Sequence, residues 1–149
     1  MKLYLVQHGE ALAKEVDADR PLSPRGEAEV GRLAQFLDAR MVPVRVLHSG
    51  KTRARQTAEI LAAVLGGEVA ATDGIAPNDA VAAWVAGLDG LAGDTMVVGH
   101  LPFMARAVSQ LLTGGEDPLV AFRPGGMVCL EQGDEGWTLA WMLRPELLG

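Results

Sequence analysis

The chain has 149 residues, a length typical of one domain, and its 49% hydrophobic and 21% charged residues exclude a disordered or fibrous protein. Nineteen acidic residues against 13 basic ones give a net charge of -6, which argues against nucleic-acid binding through a basic surface. With a single cysteine, Cys129, and no apolar run near the ~20 residues of a membrane span, we expect one cytoplasmic domain over residues 1–149, away from membranes.

Short apolar runs alternate with amphipathic stretches over the first three quarters of the chain. The first run, residues 3–6, has the uninterrupted apolar character of a strand buried on both faces of a parallel sheet. Ser23 and Pro24 then supply a helix N-cap followed by a proline at the first helical position. In chain order, the alternation predicts a strand at 3–6, a helix from 24 to about 39, a strand at 44–47, a helix at 52–65, a weaker strand at 68–71, a helix from 79 to about 88, a strand at 95–98 and a helix from Pro102.

The pattern changes after Gly114-Gly115, where short strands follow one another without helices between them. We predict strands near 119–122, 127–131 and 137–143, the last two joined into a hairpin by residues 133–136. The fold class is therefore α/β, with three layers: a largely parallel central sheet between helices, and an antiparallel edge.

All three histidines follow strand-like apolar runs: His8 after the first strand, His48 after the second and His100 after the strand at 95–98. Ligands of open α/β sheets bind outside the carboxyl ends of the strands, so the pattern predicts that these imidazoles share a pocket at one sheet edge. The alternative is structural, with each histidine only ending its strand through a hydrogen bond to the backbone.

The helix at 52–65 offers positive charge for an anion in that pocket. Its predicted apolar face consists of Thr57, Ile60, Leu61 and Val64. Arg53 begins the same face, in the first turn, where free backbone N–H groups also favour an anion and where its guanidinium can bind phosphate oxygens. Arg55 shares the polar side with Glu59 and is predicted to be a surface charge. A salt bridge from Arg53 to a neighbouring carboxylate is the structural alternative.

Four motifs stand in order along the chain: Gln7-His8-Gly9, Arg20-Pro21-Leu22-Ser23-Pro24-Arg25-Gly26, Ser49-Gly50-Lys51-Thr52-Arg53-Ala54-Arg55-Gln56-Thr57 and Val98-Gly99-His100-Leu101-Pro102. Together they resemble the histidine phosphatase superfamily, and within it the small SixA-like phosphohistidine phosphatases. The resemblance spans the chain from the first strand to the final hairpin and implies a phosphoglycerate mutase-like fold.

The resemblance implies that His8 is the nucleophile, that Arg53 and His100 hold the phosphate oxygens, and that no metal or other cofactor takes part. A neutral imidazole is nucleophilic near pH 7, and transfer to His8 divides hydrolysis into two steps. Arg53 and a protonated His100 are expected to neutralise the negative charge of the transferring group.

The sequence departs from the family pattern at Gln7, where the family has an arginine, so one positive charge of the phosphate pocket is missing. We assign substrate binding to six further residues: Gln7, Gly9, His48, Ser49, Asp79 and Leu101. Of these, His48 is hypothesised to line the phosphate pocket and so to compensate for the lost charge. Asp79 is the first candidate for a general acid and Glu10 the second, although an N-cap role for Asp79 is the stronger interpretation.

The sequence therefore predicts a phosphohistidine phosphatase that acts on a phosphorylated protein through a phospho-His8 intermediate. An imidazole leaving group has a pKa of about 6.5 and needs less help from a general acid than an alkoxide does. Three alternatives remain: a phosphatase of small phosphate esters, which requires a carboxylate such as Asp79, a weakly active phosphohistidine-binding module, and a metallohydrolase. The last would use His8, His48 and His100, but no carboxylate stands at ligand spacing beside them.

Overall fold

A single mixed sheet runs through the protein, whose computed structural model describes residues 1–149. Its six strands are β1 (Lys2–Gln7), β2 (Arg45–His48), β3 (Glu68–Ala71), β4 (Thr95–Gly99), β5 (Met127–Gly133) and β6 (Gly136–Leu143). The spatial order is β3-β2-β4-β1-β5-β6, in which β1 to β4 are parallel and β5 and β6 are antiparallel. The predicted α/β fold class, with its largely parallel sheet and antiparallel edge, is confirmed.

Helices cover both faces of this sheet and complete the three layers. They are α1 (Pro24–Leu37), α2 (Thr52–Leu65), α3 (Val81–Ala86) and α4 (Phe103–Thr113). Side chains alternate along β1: Tyr4 and Val6 enter the core under α1 and α2, whereas Leu3 and Leu5 enter the core under α3 and α4. None of the four helices combines the length and the apolar character that a membrane crossing requires.

Helices α1 and α2 begin where the sequence predicts, whereas α3 begins later than predicted, and α1 and α3 both end earlier. The Ser23 side chain accepts a hydrogen bond from Gly26 N (3.0 Å), and Pro24 occupies the first turn of α1. This helix ends at Leu37 rather than near Ala39, because Asp38 leaves the helical region with ψ of 134° and Ala39 then takes a left-handed φ of 61°. The helix expected at 79–88 is reduced to Val81–Ala86, followed by a 3-10 turn at Leu88–Gly90.

One predicted strand is wrong. Residues 119–122 form no strand, and the segment runs between Pro118 and Pro124, each of which lacks the backbone N–H that a sheet ladder needs. Leu119 is 54% exposed and Phe122 is buried in the core under α3 and α4, so this segment covers the end of that core without pairing.

Candidate active site

His8 and His100 come together at the carboxyl edge of the sheet. They directly follow β1 and β4, which are parallel neighbours, and His8 N donates to Gly99 O at 3.0 Å. The centroids of the two rings are 5.1 Å apart and the rings are tilted by 54°. Strand pairing therefore sets the distance between these two imidazoles, as expected for a site at the ends of parallel strands.

The protonation of the His8 ring follows from its one hydrogen bond. Nδ1 lies 2.7 Å from the carbonyl oxygen of Gly9. A carbonyl oxygen only accepts, so Nδ1 carries the proton and donates, and the Nε2 of a neutral His8 keeps its lone pair. Burial lowers the pKa of His8 to about 4; the Gly9 hydrogen bond opposes this shift, whereas the charges of Arg53 and Arg20 add to it. At pH 7 the ring is neutral and Nε2 is nucleophilic.

His100 is almost fully buried, at 2% exposure, and is held by Ser49. Its Nε2 lies 2.6 Å from Ser49 Oγ, while its Nδ1 is buried without a protein partner. Burial lowers the pKa of His100 to about 3, with further lowering by His8, then by Arg53, Lys51 and Arg20. The protonated His100 expected from the sequence is therefore absent near pH 7 in the ligand-free protein, because the ring is buried among positive groups.

Arg53 is a partly buried cation without a counter-ion. It forms none of the ion pairs of the protein, and its Nε is buried without a hydrogen-bond partner, so the alternative of a salt bridge is excluded. Burial and the charge of Arg20 lower its pKa. By contrast, Arg55 pairs with Glu59 at 3.3 Å on the exposed side of α2, as predicted.

The buried face of α2 is rotated relative to the predicted one. Its buried residues are Ala54, Thr57, Ala58, Leu61 and Leu65. Val64 is 39% exposed and Ile60 is only partly buried, whereas the small Ala54 and Ala58 lie in the core against the sheet and α1. Arg53 precedes this buried face by one residue and remains at the margin of the helix, next to the histidines.

Gly9 joins the nucleophile to α2 through a short chain of hydrogen bonds. Gly9 N donates to Thr57 Oγ1 (3.0 Å), and the same hydroxyl donates to Arg53 O (2.8 Å). A side chain on Gly9 would meet Val30 Cγ2 at 2.8 Å, so a glycine is needed for this close approach. Gly9 and Thr57 therefore fix the position of His8 relative to Arg53. No role was predicted for Thr57 beyond its place on the helix face.

His48 lies apart from the other two histidines. As the last residue of β2 it shares the face of Val46, under α2, and its Nδ1 accepts a hydrogen bond from Gly50 N at 3.0 Å. Burial lowers its pKa, and the charges that act on it are Glu59, which raises it, and Arg55, which lowers it. The ring stacks on neither His8 nor His100. Its contact is a hydrogen bond with the backbone at the end of its strand, as the alternative to a shared pocket predicts.

The two carboxylates considered as general acids are occupied elsewhere. The Asp79 carboxylate accepts a hydrogen bond from Ala76 N (2.9 Å) and lines a cavity of about 660 Å³ between the sheet and α3. The N-cap of α3 is Ala80, so Asp79 closes a turn before the helix instead of capping it. Glu10 accepts a hydrogen bond from Ser23 Oγ at 2.8 Å and lies 4.0 Å from Arg25.

Gln7 and Leu101 flank the two site histidines along the chain. The Gln7 side chain carries no charge, and its Oε1 is buried without a partner. Leu101 is 38% exposed beside His100. A residue without a predicted role, Arg20, contributes charge here, since it lowers the pKa values of His8, Arg53 and His100. The only sequence signal for Arg20 was its place in the second motif.

The site histidines and Arg53 lie outside the cavities of the protein. None of the four cavities of the protein is lined by His8, Arg53 or His100, and the largest one lies between the sheet and α3. No group of three or more His, Cys, Asp or Glu side chains is arranged to hold a metal ion.

We expect His8 and His100 to stay neutral down to about pH 5. Their ring protons, followed by NMR against pH, should titrate near 4 and 3 instead of near 6.5. An unfolded histidine binds its proton near pH 6.5, so the unfolded chain binds more protons between pH 6.5 and 4, and the free energy of unfolding falls as the pH drops through this range. His8→Ala should weaken this dependence in urea titrations. A His8 ring that titrates near 6.5 would contradict the assigned burial.

Comparison with known proteins places this arrangement in a family. Residues 3–79 match the profile of the histidine phosphatase superfamily (branch 1). An uncharacterised protein of Picosynechococcus sp. is 33% identical over 142 residues, which are 89% of this chain and 86% of that protein.

Solved structures resemble the whole chain. The protein histidine phosphatase SixA, solved with tungstate, is 26% identical with a TM-score of 0.87 and 100% coverage of both chains. The putative phosphohistidine phosphatase SixA of Agrobacterium tumefaciens is 28% identical with a TM-score of 0.80 and 97% coverage of both. The predicted phosphoglycerate mutase-like fold is confirmed.

Proposed function

Since this chain belongs to the histidine phosphatase superfamily, we propose that it is a phosphohistidine phosphatase that uses His8 as its nucleophile. The observation that carries the proposal is the state of the His8 ring. Its Nδ1 proton is held by the Gly9 carbonyl and its pKa is about 4, so a neutral ring presents Nε2 for attack at pH 7. Two polar groups without protein partners, Arg53 Nε and His100 Nδ1, belong to the same site.

The proposed reaction has two displacements at phosphorus. In the first, the lone pair of His8 Nε2 forms a bond to phosphorus while the N–P bond of the substrate breaks, and the departing imidazole takes a proton from solvent. In the second, a water oxygen attacks phosphorus, the His8–phosphorus bond breaks, and inorganic phosphate leaves. The guanidinium of Arg53 is the proposed clamp on the phosphoryl oxygens, with His100, positioned by Ser49, as a second contact. With the Arg53 guanidinium neutralising charge and neutral His100 contributing a hydrogen bond, we propose that no metal is needed.

Two features favour phosphohistidine over a phosphate ester. The carboxylates of Asp79 and Glu10 accept hydrogen bonds from Ala76 N and from Ser23 Oγ, and neither forms a hydrogen bond with His8, so neither of them is positioned to protonate an alkoxide there. The site residues also line none of the four cavities, which suits a protruding side chain of a protein better than a small metabolite that must be enclosed. Both SixA structures, at 26% and 28% identity, are named as histidine or phosphohistidine phosphatases, which supports this choice. The proposal includes one catalytic domain, a cytoplasmic location and a phosphorylated protein as partner.

Phosphate release from a histidine-phosphorylated protein, measured beside hydrolysis of p-nitrophenyl phosphate, tests the substrate class. We expect kcat/KM to be at least about a hundredfold higher for phosphohistidine, because an imidazole leaving group needs less help from a general acid than an alkoxide does. We also expect excess chelator to leave the rate unchanged. Asp79→Asn should change either rate by less than about threefold, since an amide oxygen still accepts from Ala76 N.

The other outcomes decide between the alternatives. Efficient ester hydrolysis that is lost in Asp79→Asn would establish a phosphatase of small esters. Tight tungstate binding without turnover of either substrate would establish a binding module.

A further inference from the structure

The segment between β1 and α1 closes on itself beside the site. Leu12 N donates to Pro21 O at 2.8 Å, and an antiparallel bridge joins Ala11 to Leu22. Leu22 N also donates to Gln56 Oε1 at 2.7 Å, which ties the end of the segment to α2 one turn after Arg53. The segment is therefore held in place at its base and against the helix that carries the site arginine.

Arg20 is the residue that this closed segment carries. Its backbone is left-handed, with φ of 47°, a conformation that costs free energy in a non-glycine residue and persists where the surroundings impose it. The side-chain Nε donates to Leu12 O at 3.1 Å, which leaves the two terminal guanidinium nitrogens free. Arg20 forms no ion pair, although its own segment contains Glu15, Asp17 and Asp19.

Two cations without counter-ions thus act on the same pair of imidazoles. The positive charge of Arg20 lowers the pKa values of His8, Arg53 and His100, so Arg20 faces the group that we assign to phosphate binding. Like charges brought together repel one another, and an anion between them removes the repulsion. The neighbouring position with no charge is Gln7, where the family resemblance implies an arginine.

We propose that the two terminal nitrogens of Arg20 bind the phosphoryl oxygens of the substrate opposite Arg53, and that Arg20 thereby supplies positive charge that Gln7 lacks. This inference rests on the proposed function for the identity of the anion, and it extends that function to a residue outside the His8, Arg53 and His100 set. A guanidinium already fixed through Nε is ordered before the substrate arrives, so little of its contribution is lost to side-chain entropy.

Tungstate binding, measured by calorimetry, tests the proposal with a tetrahedral oxyanion and no turnover. We expect Arg20→Gln to weaken tungstate binding at least about tenfold, the loss of one charge-assisted contact. The matched control is Arg25→Gln, which removes the same charge from an arginine with 70% side-chain exposure and should change the affinity by less than about twofold. Unchanged affinity in Arg20→Gln, or equal losses in both variants, would overturn the proposal.

A second variant links Arg20 to Gln7. If the two positions serve the same anion, Gln7→Arg should recover most of the affinity lost in Arg20→Gln and should improve the wild type less. If the affinity changes of Gln7→Arg and Arg20→Gln are strictly additive in the double variant, the proposed compensation is wrong. Should Arg20→Gln fail to fold in urea titrations, Arg20→Lys replaces it: a loss of at least about threefold from losing the planar fork supports the proposal, and full affinity overturns it.

The same variants separate this inference from the proposed function. If the wild type releases no phosphate from phosphohistidine and Arg20→Gln still weakens tungstate binding, the proposed substrate fails and the oxyanion role of Arg20 stands. If phosphohistidine is hydrolysed and Arg20→Gln binds tungstate like wild type, the role of Arg20 fails alone.

Discussion

Replacing His8 with alanine is expected to lower phosphate release from phosphohistidine by at least about a thousandfold, while tungstate binding weakens by less than about tenfold. The rate falls because Nε2 is the atom that forms the bond to phosphorus, and no other nitrogen in the site takes its place: His100 is buried and His48 lies under α2. Binding is largely retained because Arg53 and His100 remain. Rapid-quench kinetics and calorimetry measure the two effects.

The same quench experiment identifies the intermediate. Wild-type enzyme stopped during turnover should carry a phosphoryl group that is stable in base and labile in acid, as a phosphohistidine is, and His8→Ala should carry none. His48→Ala is the matched control, since it removes a second imidazole at the same sheet edge whose contacts are to Gly50 N and α2. Retained turnover in His8→Ala would refute covalent catalysis at this residue.

Much of the fold could be predicted from the sequence because helix starts and apolar strands are marked by residues close together in the chain. Ser23 and Pro24 mark the start of α1, and the predicted range of α2, 52–65, matches the structure. The prediction failed where the outcome depended on distant partners. The apolar segment 119–122 resembles a strand, yet β1 already pairs with β4 and β5, and the flanking prolines leave the segment as a cover for the core.

In the candidate site, too, local features could be predicted from the sequence and contacts between distant residues could not. The position of His8 and His100 at strand ends was readable from the sequence, but their contact depends on β1 pairing directly with β4, which no local pattern specifies. His48 also ends a strand next to β4, yet its ring packs against neither of the other two imidazoles and its Nδ1 accepts from Gly50 N, a contact that the sequence pattern does not distinguish. The neutral state of His100 arises from burial among several positive groups, and burial is a property of the assembled fold.

Gln7 has a different meaning once Arg20 is considered. From the sequence alone, an uncharged residue in place of an arginine suggests a weakened pocket. In the structure, the cation of Arg20 acts on the same groups from a segment tied to α2, so positive charge reaches the anion site from outside the Gln7 motif. The charge of the site is therefore a sum over several segments, and one uncharged position does not by itself determine it.

Arg53→Gln is expected to reduce kcat/KM for phosphohistidine by about a hundredfold to a thousandfold, the loss seen when a preorganised contact to a developing negative charge is removed. Its Nε is already buried without a partner and no carboxylate competes for the guanidinium, so the side chain is preorganised for an oxyanion. The backbone oxygen of residue 53 continues to accept from Thr57 Oγ1, and therefore the position of His8 should be preserved.

Arg53→Lys separates charge from geometry, because lysine keeps the charge and loses the planar pair of donors; we expect its kcat/KM to lie between those of wild type and Arg53→Gln. The control is Arg55→Gln, from the same helix, whose guanidinium pairs with Glu59 in solvent; its removal should change kcat/KM by less than about threefold. Equal losses in Arg53→Gln and Arg55→Gln would mean that α2 attracts the substrate through its overall charge. A loss confined to Arg53 instead identifies one guanidinium in contact with the transferring group, and a larger fall in kcat than rise in KM would place that contact in the transition state.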